Sequence, residues 1–141
     1  MFKIKNFILV FTFLLILSGN SLSADIEIET DRNFYTPILS STIGIGLTPK
    51  HPLENQKGAL RFHWSTNFGA FFSWNNGVRG FGPEVTNNGD KIFWSYDPRE
   101  MGKIKPPVRI SLRIEDEKTK NILGETCIEI EWDKDFAKVK K

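Results

Sequence analysis

The side chains that could act as a nucleophile or a base are few. The chain contains two histidines, His51 and His63, and a single cysteine, Cys127. A nucleophilic site requires a Ser or Cys held against a base that a third group orients. No Gly-x-Ser-x-Gly turn is present, and neither histidine belongs to a His-Glu-x-x-His motif or a cysteine cluster of the zinc-binding type. We therefore predict no catalytic residues, no metal and no other cofactor.

Acidic residues in predicted loops offer two further chemistries. Paired carboxylates can act as acid and base on a glycosidic bond, and the candidates are Glu84, Asp90, Asp97 and Glu100. Oxygen ligands at the end of a sandwich can bind calcium, and the candidates are Glu115-Asp116-Glu117 and Asp133 with Asp135. No EF-hand spacing is present, and acidic loop residues are usually only solvated. A small hydrolase using loop carboxylates is therefore an alternative and not the leading interpretation.

The most unusual feature is a crowding of aromatic residues. Ten of them lie between positions 62 and 96, namely Phe62, Trp64, Phe68, Phe71, Phe72, Trp74, Phe81, Phe93, Trp94 and Tyr96. Neighbouring residues of a strand face opposite ways, so one member of each adjacent pair, Phe71-Phe72 and Phe93-Trp94, must leave the core that the other enters. We predict an outer apolar patch around residues 68–81, with the candidate binding residues Phe68, Phe71, Phe72, Trp74, Arg79 and Phe81.

A contiguous exposed patch of this kind normally marks an interface or a ligand platform. Aromatic rings beside Asn75 and Asn76 suit the faces of sugars. They equally suit a protein partner anchored by Trp and Arg. Burial of the same residues against the other sheet or a long loop is the alternative.

The N-terminus indicates export. Lys3 and Lys5 precede the apolar run Phe7–Leu17, which small residues follow, and this order is that of a secretory signal peptide over residues 1–24. The run is shorter than the roughly 20 residues of a membrane-spanning helix, so we expect no stable membrane span after cleavage. We expect a secreted, periplasmic or cell-surface location.

Removing the signal peptide neutralises the chain. Lys3 and Lys5 are its only charged residues, so 17 basic residues then stand against 17 acidic ones. Nucleic-acid binding loses its main support. A single cysteine also excludes a disulfide within the chain, so the core alone must stabilise the domain.

The elements that position these residues are strands. Val108 to Trp132 reads as a hairpin in which Ile110, Leu112 and Ile114 alternate with polar residues, the period of a strand with one buried face. Further alternation begins at Ile26, Thr42, Leu60, Phe71 and Ile92. We predict an all-β fold, a two-sheet antiparallel Ig-like sandwich of about seven strands over residues 25–135, with a frayed basic tail at 136–141. A five- or six-stranded barrel is the alternative.

Turn residues separate these strands. Asn75-Asn76-Gly77 and Asn87-Asn88-Gly89 are typical of tight hairpin turns. We also predict a turn over residues 33–37, an end to the second strand at Pro49, and turns around the Gly-rich segment 77–82.

The order of these signals resembles that of bacterial immunoglobulin-like domains of the PKD type. The matching pieces are Phe62-His63-Trp64, the strand Ile110–Asp116 and the closing strand Ile128–Glu131, within a likeness from Thr42 to Trp132. The Trp-Asp-Phe-Gly-Asp-Gly run of PKD domains is replaced here by Trp64-Ser65-Thr66-Asn67-Phe68-Gly69, which lacks both acidic residues. The resemblance implies a sandwich fold in an exported protein of modular domain organisation. It assigns no site residues.

The leading hypothesis is an exported, non-catalytic binding or accessory domain that contacts a protein or a glycan through the aromatic-rich surface. The alternatives are the small hydrolase and a structural subunit that assembles into an oligomer through its edge strands.

Overall fold

The computed structural model describes residues 25–40, 42–53 and 59–140. The predicted signal peptide lies outside the described residues. The strands are β1 Glu27–Thr30, β2 Phe34–Tyr35, β3 Ile45–Lys50, β4 Leu60–Thr66, β5 Ala70–Trp74, β6 Val78–Gly82, β7 Glu84–Asn87, β8 Ile92–Ser95, β9 Val108–Asp116, β10 Ile122–Asp133 and β11 Phe136–Val139. A 3₁₀ helix, Pro98–Lys103, connects β8 to β9.

The strands form two antiparallel sheets that pack against each other. One sheet has five strands in the order β1-β3-β8-β5-β6, and the other has six in the order β2-β11-β10-β9-β4-β7. The prediction of an all-β, two-sheet sandwich is therefore confirmed, although the described residues contain more strands than the seven expected. The specific Ig-like or PKD-like topology stays a prediction.

Alternation determines which residues form the core. In β9, Val108, Ile110, Leu112 and Ile114 are buried, whereas Arg109 and Arg113 between them are exposed. The same period applies in β4, where Phe62 and Trp64 are buried. Since each buried apolar Å² stabilises by about 25 cal/mol, these inward faces supply the stability of a domain without disulfides.

Three large aromatic residues occupy the centre. Trp64 of the six-stranded sheet and Phe71 of the five-stranded sheet have ring centroids 6.3 Å apart. Trp94 of β8 lies directly opposite Phe71. Each indole N–H is satisfied: Trp64 donates to Asn87 Oδ1 at 3.3 Å, and Trp94 donates to the Phe68 carbonyl at 2.8 Å. Large aromatic residues can thus be buried without leaving a polar atom unpaired.

Two predicted turns are strands. Phe34–Tyr35 is β2, a short edge strand in the predicted turn over 33–37. The Gly-rich segment contains β6, Val78–Gly82, with a β-bulge opposite Phe71 and Phe72. Pro49 lies within β3 and pairs with Ile28 of the edge strand β1. Each departure lies at or beside a sheet edge, where short, bulged or proline-containing strands are tolerated.

The two Asn-Gly turns differ in what they connect. Asn75-Asn76-Gly77 closes the β5–β6 hairpin, as predicted, and Asn76 has a φ of 55°. Asn87-Asn88-Gly89 is a turn, but it is not a hairpin turn, because β7 belongs to the six-stranded sheet and β8 to the five-stranded sheet. There the Asn87 side chain accepts a hydrogen bond from Gly89 N–H at 3.1 Å, and Gly89 has a φ of 97°. The turn therefore carries the chain from one sheet to the other.

The predicted basic tail is wrong. Residues 136–139 form β11, which pairs with β10 and β2. Ala137 is fully buried and Val139 is 7 % exposed, while the lysines on either side of Val139 point outward. The basic residues that suggested a solvated end thus lie on the solvent-exposed face of a strand. The domain therefore continues beyond residue 135.

We expect Phe71→Ala and Phe72→Ala to differ sharply in stability. Phe71 is fully buried, so its truncation should cost about 3–5 kcal/mol. Phe72 lies on the opposite face and is half-buried, so its truncation should cost about 1 kcal/mol. Urea unfolding of both variants measures the difference. Equal losses would contradict the assignment of faces.

A chain truncated after Asp135 should be markedly less stable than the complete domain. The truncation removes two buried side chains and the bonds from Val139 N–H to Asn33 O and from Lys140 N–H to Glu129 O. We expect a loss on the order of 3–5 kcal/mol. As a control, Lys138→Ala should change the unfolding free energy by less than about 0.5 kcal/mol. A truncated chain as stable as the complete one would restore the tail interpretation.

Candidate functional site

The outer side of the five-stranded sheet carries an exposed row of apolar side chains. Because Phe71 and Trp94 face the core, Phe72 and Phe93 face outward, directly opposite each other on β5 and β8. Trp74 lies two residues further along β5, and Val78 of β6 lies opposite Trp74. Trp74 is 64 % exposed and Val78 is 52 % exposed. We call Phe72, Trp74, Val78 and Phe93 the aromatic face.

A groove runs beside Trp74. Trp74, Phe93, Thr42 and Ile43 line a cavity of about 240 Å³. The segment of Thr42 and Ile43, which precedes β3, forms one wall of the groove. Trp74 and Phe93 form the rest of its lining. An aromatic groove of this kind suits an apolar or partly apolar ligand.

A glycine lies opposite each of the two outward phenylalanines of the aromatic face. Gly46 of β3 lies opposite Phe93, and Gly80 of β6 lies opposite Phe72. A Cβ at position 80 would come within 3.3 Å of the Phe72 ring, and a Cβ at position 46 would collide with the side chains of Lys91 and Asp31. The absence of a side chain at Gly46 thus admits the Lys91 and Asp31 side chains, which a Cβ there would exclude.

An ion cluster centred on Asp31 holds the polar border of the groove. The Asp31 carboxylate accepts from Gly46 N–H at 2.8 Å, Arg32 Nε at 3.1 Å and Lys91 Nζ at 3.1 Å. Lys91 Nζ also lies 5.2 Å from the Phe93 ring centroid, a cation–π distance. Arg32 donates to Thr42 Oγ1 at 2.7 Å. The cluster therefore fixes Lys91 over Phe93 and restrains the wall at Thr42.

The charge state of Asp31 follows from these contacts. Burial by itself raises the pKa of its carboxyl. Hydrogen bonds from Arg32, Gly46 and Lys91, together with the Arg32 charge, outweigh burial and lower the pKa below 3.8. The Asp31 carboxylate therefore stays ionised to a lower pH than an ordinary aspartate does.

A second cavity, which we call the end pocket, adjoins the aromatic face. Its volume is about 580 Å³, and its lining includes Phe68, Gly69, Phe72, Tyr96, Asp97 and Glu100. Phe72 belongs to both the aromatic face and the end pocket, so the two form one continuous surface. The 3₁₀ helix supplies the acidic side of the pocket.

The two carboxylates of the end pocket are held by basic partners. Asp97 caps the 3₁₀ helix and accepts from the Arg99 guanidinium at 2.8 Å and from Arg99 N–H at 2.9 Å. These contacts, the side-chain bonds foremost, lower the pKa of Asp97. Glu100 lies 2.7 Å from Lys103 Nζ. The pocket wall therefore presents carboxylate oxygens as hydrogen-bond acceptors, each carboxylate being paired with a basic side chain.

The six predicted binding residues do not all lie on one surface. Phe72 and Trp74 lie on the aromatic face. Phe71 is in the core, so its assignment to the patch is wrong, because alternation sends Phe72 outward instead. Phe81 lies in the β-bulge and packs against the core, beneath Arg79 at 5.3 Å. Phe68 contacts Tyr96 and Trp132 and lines the end pocket.

Sequence reasoning missed three residues of this surface. Phe93 and Val78 belong to the aromatic face, and Ile43 lines the groove. For Phe93 the sequence did offer a signal, because one member of the adjacent pair Phe93-Trp94 must face away from the core. Nothing in the sequence around Val78 indicated β6, because glycine flanks this strand at both ends.

His63 and Cys127 do not form a nucleophilic pair. Both line a shallow depression on the outer side of the six-stranded sheet, but β9 runs between their strands. Neighbouring strands are about 4.8 Å apart, so roughly 10 Å separates the two. His63 Nδ1 and Thr86 Oγ1 are 2.8 Å apart, and His63 Nε2 lies 3.3 Å from Glu115. His51 Nδ1 accepts from Leu53 N–H at 3.2 Å, which fits a structural role.

Among the calcium candidates, Asp116 serves the turn in which it lies. Asp116 accepts from Lys118 N–H and Thr119 N–H at 2.9 and 3.0 Å, which shapes the β9–β10 turn. Among residues 25–40, 42–53 and 59–140, no three His, Cys, Asp or Glu side chains are grouped so as to hold a metal ion. Over these same ranges, no helix has the length and apolar character needed to cross a membrane.

No protein-family model, curated protein or solved structure matches this chain.

We expect Asp31→Asn to destabilise the domain in a pH-dependent way. The folded-state pKa of Asp31 is lowered, so its ionised form stabilises the fold above pH 3.8, and this contribution is lost as the pH falls through the folded pKa. Near neutral pH the variant should lose on the order of 1–2 kcal/mol, the contribution of charge-assisted hydrogen bonds.

Urea unfolding of the wild type and Asp31→Asn between pH 7 and pH 2 measures this difference. The gap should be constant near neutral pH and shrink below pH 3.8. Asp133→Asn, at an exposed position, is the matched control and should give a small gap throughout. If the difference in unfolding free energy between the wild type and Asp31→Asn grew as the pH fell, it would contradict the lowered pKa of Asp31.

Proposed function

We propose that this chain is an exported, non-catalytic binding domain that takes its ligand on the aromatic face of the five-stranded sheet. The observation that carries the proposal is the outward placement of Trp74 beside Phe72, Phe93 and Val78 on one continuous surface. The signal-peptide pattern of residues 1–24 supports export.

The exposure of Trp74 is difficult to explain by folding. The other three tryptophans contribute to or pack against the core, and Trp64 and Trp94 are at most 1 % exposed. A large aromatic residue on the outer face adds little stability and leaves apolar area in water. Contiguous exposed apolar side chains are typical of binding surfaces, and Trp is among the residues that contribute most to binding energy.

The hydrolase alternative receives less support. Of the four loop carboxylates considered as catalysts, Asp97 and Glu100 line the end pocket. A general acid at neutral pH requires a raised pKa, but the contacts with Arg99 lower the pKa of Asp97. The Asp97 carboxylate therefore suits hydrogen-bond acceptance from a ligand better than proton donation.

Assembly through edge strands is also less favoured. The edge strand β1 has exposed Glu27 and Glu29, and the opposite edge strand β6 is bulged with exposed Arg79. Charge and bulges on edges discourage pairing with another chain. The broad face of the sheet, and not its edge, is therefore the surface that we assign to binding.

Trp74→Ala should weaken binding of the mature domain to envelope fragments of the cells that produce it by at least tenfold. Truncation of a central interface Trp costs about 2 kcal/mol or more. Co-sedimentation with the fragments measures binding, and iodide quenching of Trp74 fluorescence should fall in the bound state.

Phe34→Ala is the matched control, because Phe34 is 51 % exposed on the edge strand of the other sheet. It should bind as the wild type does, and both variants should keep the wild-type thermal midpoint within a few degrees. An equal loss in both variants, or no binding by the wild type, would refute the proposal.

A further inference from the structure

We infer that the ligand of the aromatic face is a chain of uncharged sugars, which lies along β5 from Trp74 into the end pocket. This inference rests on the proposed function and adds the chemical class of the ligand and its direction on the sheet. It follows from the shape of the surface, its limited apolar area and its charge balance.

The shape is a narrow row. Along β5 the outward positions are Ala70, Phe72 and Trp74, which alternate with inward positions. Successive outward residues of a strand are about 6.7 Å apart. Phe93 widens the row at its middle, where Lys91 borders it, and Gly80 keeps the neighbouring strand β6 low beside Phe72. At the Ala70 end the row opens into the end pocket. A surface of this form suits a linear polymer whose successive units stack on successive rings.

The apolar area is small for a protein partner. Trp74 and Val78 are more than half exposed, but Phe72 and Phe93 are half-buried. A fully buried aromatic residue covers about 150–250 Å², so the row offers roughly 300 Å². A stable protein interface buries about 800 Å² on each partner. The row is therefore better matched to a chain of small rings than to a protein surface.

Sugar rings match both parts of this surface. A pyranose presents C–H groups on its faces, which pack on aromatic rings, and hydroxyl groups around its edge, which require hydrogen-bond partners. Asn75 and Asn76 follow Trp74 directly in the turn that ends β5. The carboxylates of Asp97 and Glu100 are hydrogen-bond acceptors at the other end. The hydroxyl groups of a bound sugar thus meet hydrogen-bond acceptors at both ends of the row of aromatic side chains.

Each carboxylate on this surface is paired with a basic side chain, and the four basic side chains exceed the three carboxylates by only one charge. Asp97 is paired with Arg99, Glu100 with Lys103, and Asp31 with both Arg32 and Lys91. An anionic polymer would meet the carboxylates of the end pocket, and a cationic one would meet Lys91 and Lys103. Because like-charge contacts penalise the wrong partner, this arrangement favours an uncharged chain. It also argues against nucleic acid, whose binding requires an excess of basic side chains.

The experiment is calorimetric titration of the mature domain with neutral hexasaccharides of glucose, N-acetylglucosamine and mannose, and with an anionic hexagalacturonate. At least one neutral hexasaccharide should bind, and at least tenfold more tightly than its disaccharide, since a row of sites requires several units. Trp74→Ala should weaken binding at least tenfold. Glu100→Gln should weaken it about three- to tenfold, and Phe34→Ala should leave it unchanged.

The outcomes separate this inference from the proposed function. Trp74-dependent binding to envelope fragments without binding to any neutral hexasaccharide would overturn the sugar assignment and leave the binding function intact. Tighter binding of hexagalacturonate would overturn the uncharged class. Sugar binding that Trp74→Ala leaves unchanged would overturn both proposals. Loss in Trp74→Ala with an unchanged thermal midpoint supports both.

Discussion

The packing of Phe71 between Trp64 and Trp94 is the constraint on which the other features of this domain depend. Phe71 connects the two sheets, since it lies opposite Trp94 in its own sheet and contacts Trp64 across the interior. In a domain with one cysteine, no disulfide within the chain can replace this contact. Because alternation is strict within β5, fixing Phe71 inward also fixes Phe72 and Trp74 outward. The core and the candidate binding surface are therefore two consequences of one register.

A second constraint comes from hydrogen bonding at the borders of the five-stranded sheet. Asp31 satisfies Gly46 N–H and holds Lys91 beside Phe93, while Arg32 reaches Thr42 on the wall of the groove. At the other end, Asp97 caps the 3₁₀ helix and binds Arg99. Both clusters serve the fold, because they satisfy backbone groups. Both also position charged side chains at the two ends of the aromatic face, where a polar ligand would require them.

Much of this architecture could be predicted from the sequence because alternation is a local signal. The inward residues of β4 and β9, the central position of Trp64 and the β5–β6 turn at Asn76 follow from neighbouring residues alone. The short strands β2 and β11, at one side of the six-stranded sheet, could not be predicted in the same way. β2 has two residues, and β11 has four residues in a lysine-rich segment. Such strands exist because a neighbouring strand supplies their hydrogen-bond partners, and no local pattern encodes that neighbour.

The candidate site shows the same limit more sharply. The adjacency of Phe71 and Phe72 required one of them to leave the core, but the choice between them depends on which one reaches Trp64 in the other sheet. The bulge in β6 likewise turns Phe81 toward the core, although the crowding of aromatic residues had placed it in the predicted outer patch. The outward residues come from separate strands, and only sheet pairing brings Val78 and Phe93 beside them. A surface built across strands is therefore a property of register, and register is set by what the opposite face buries.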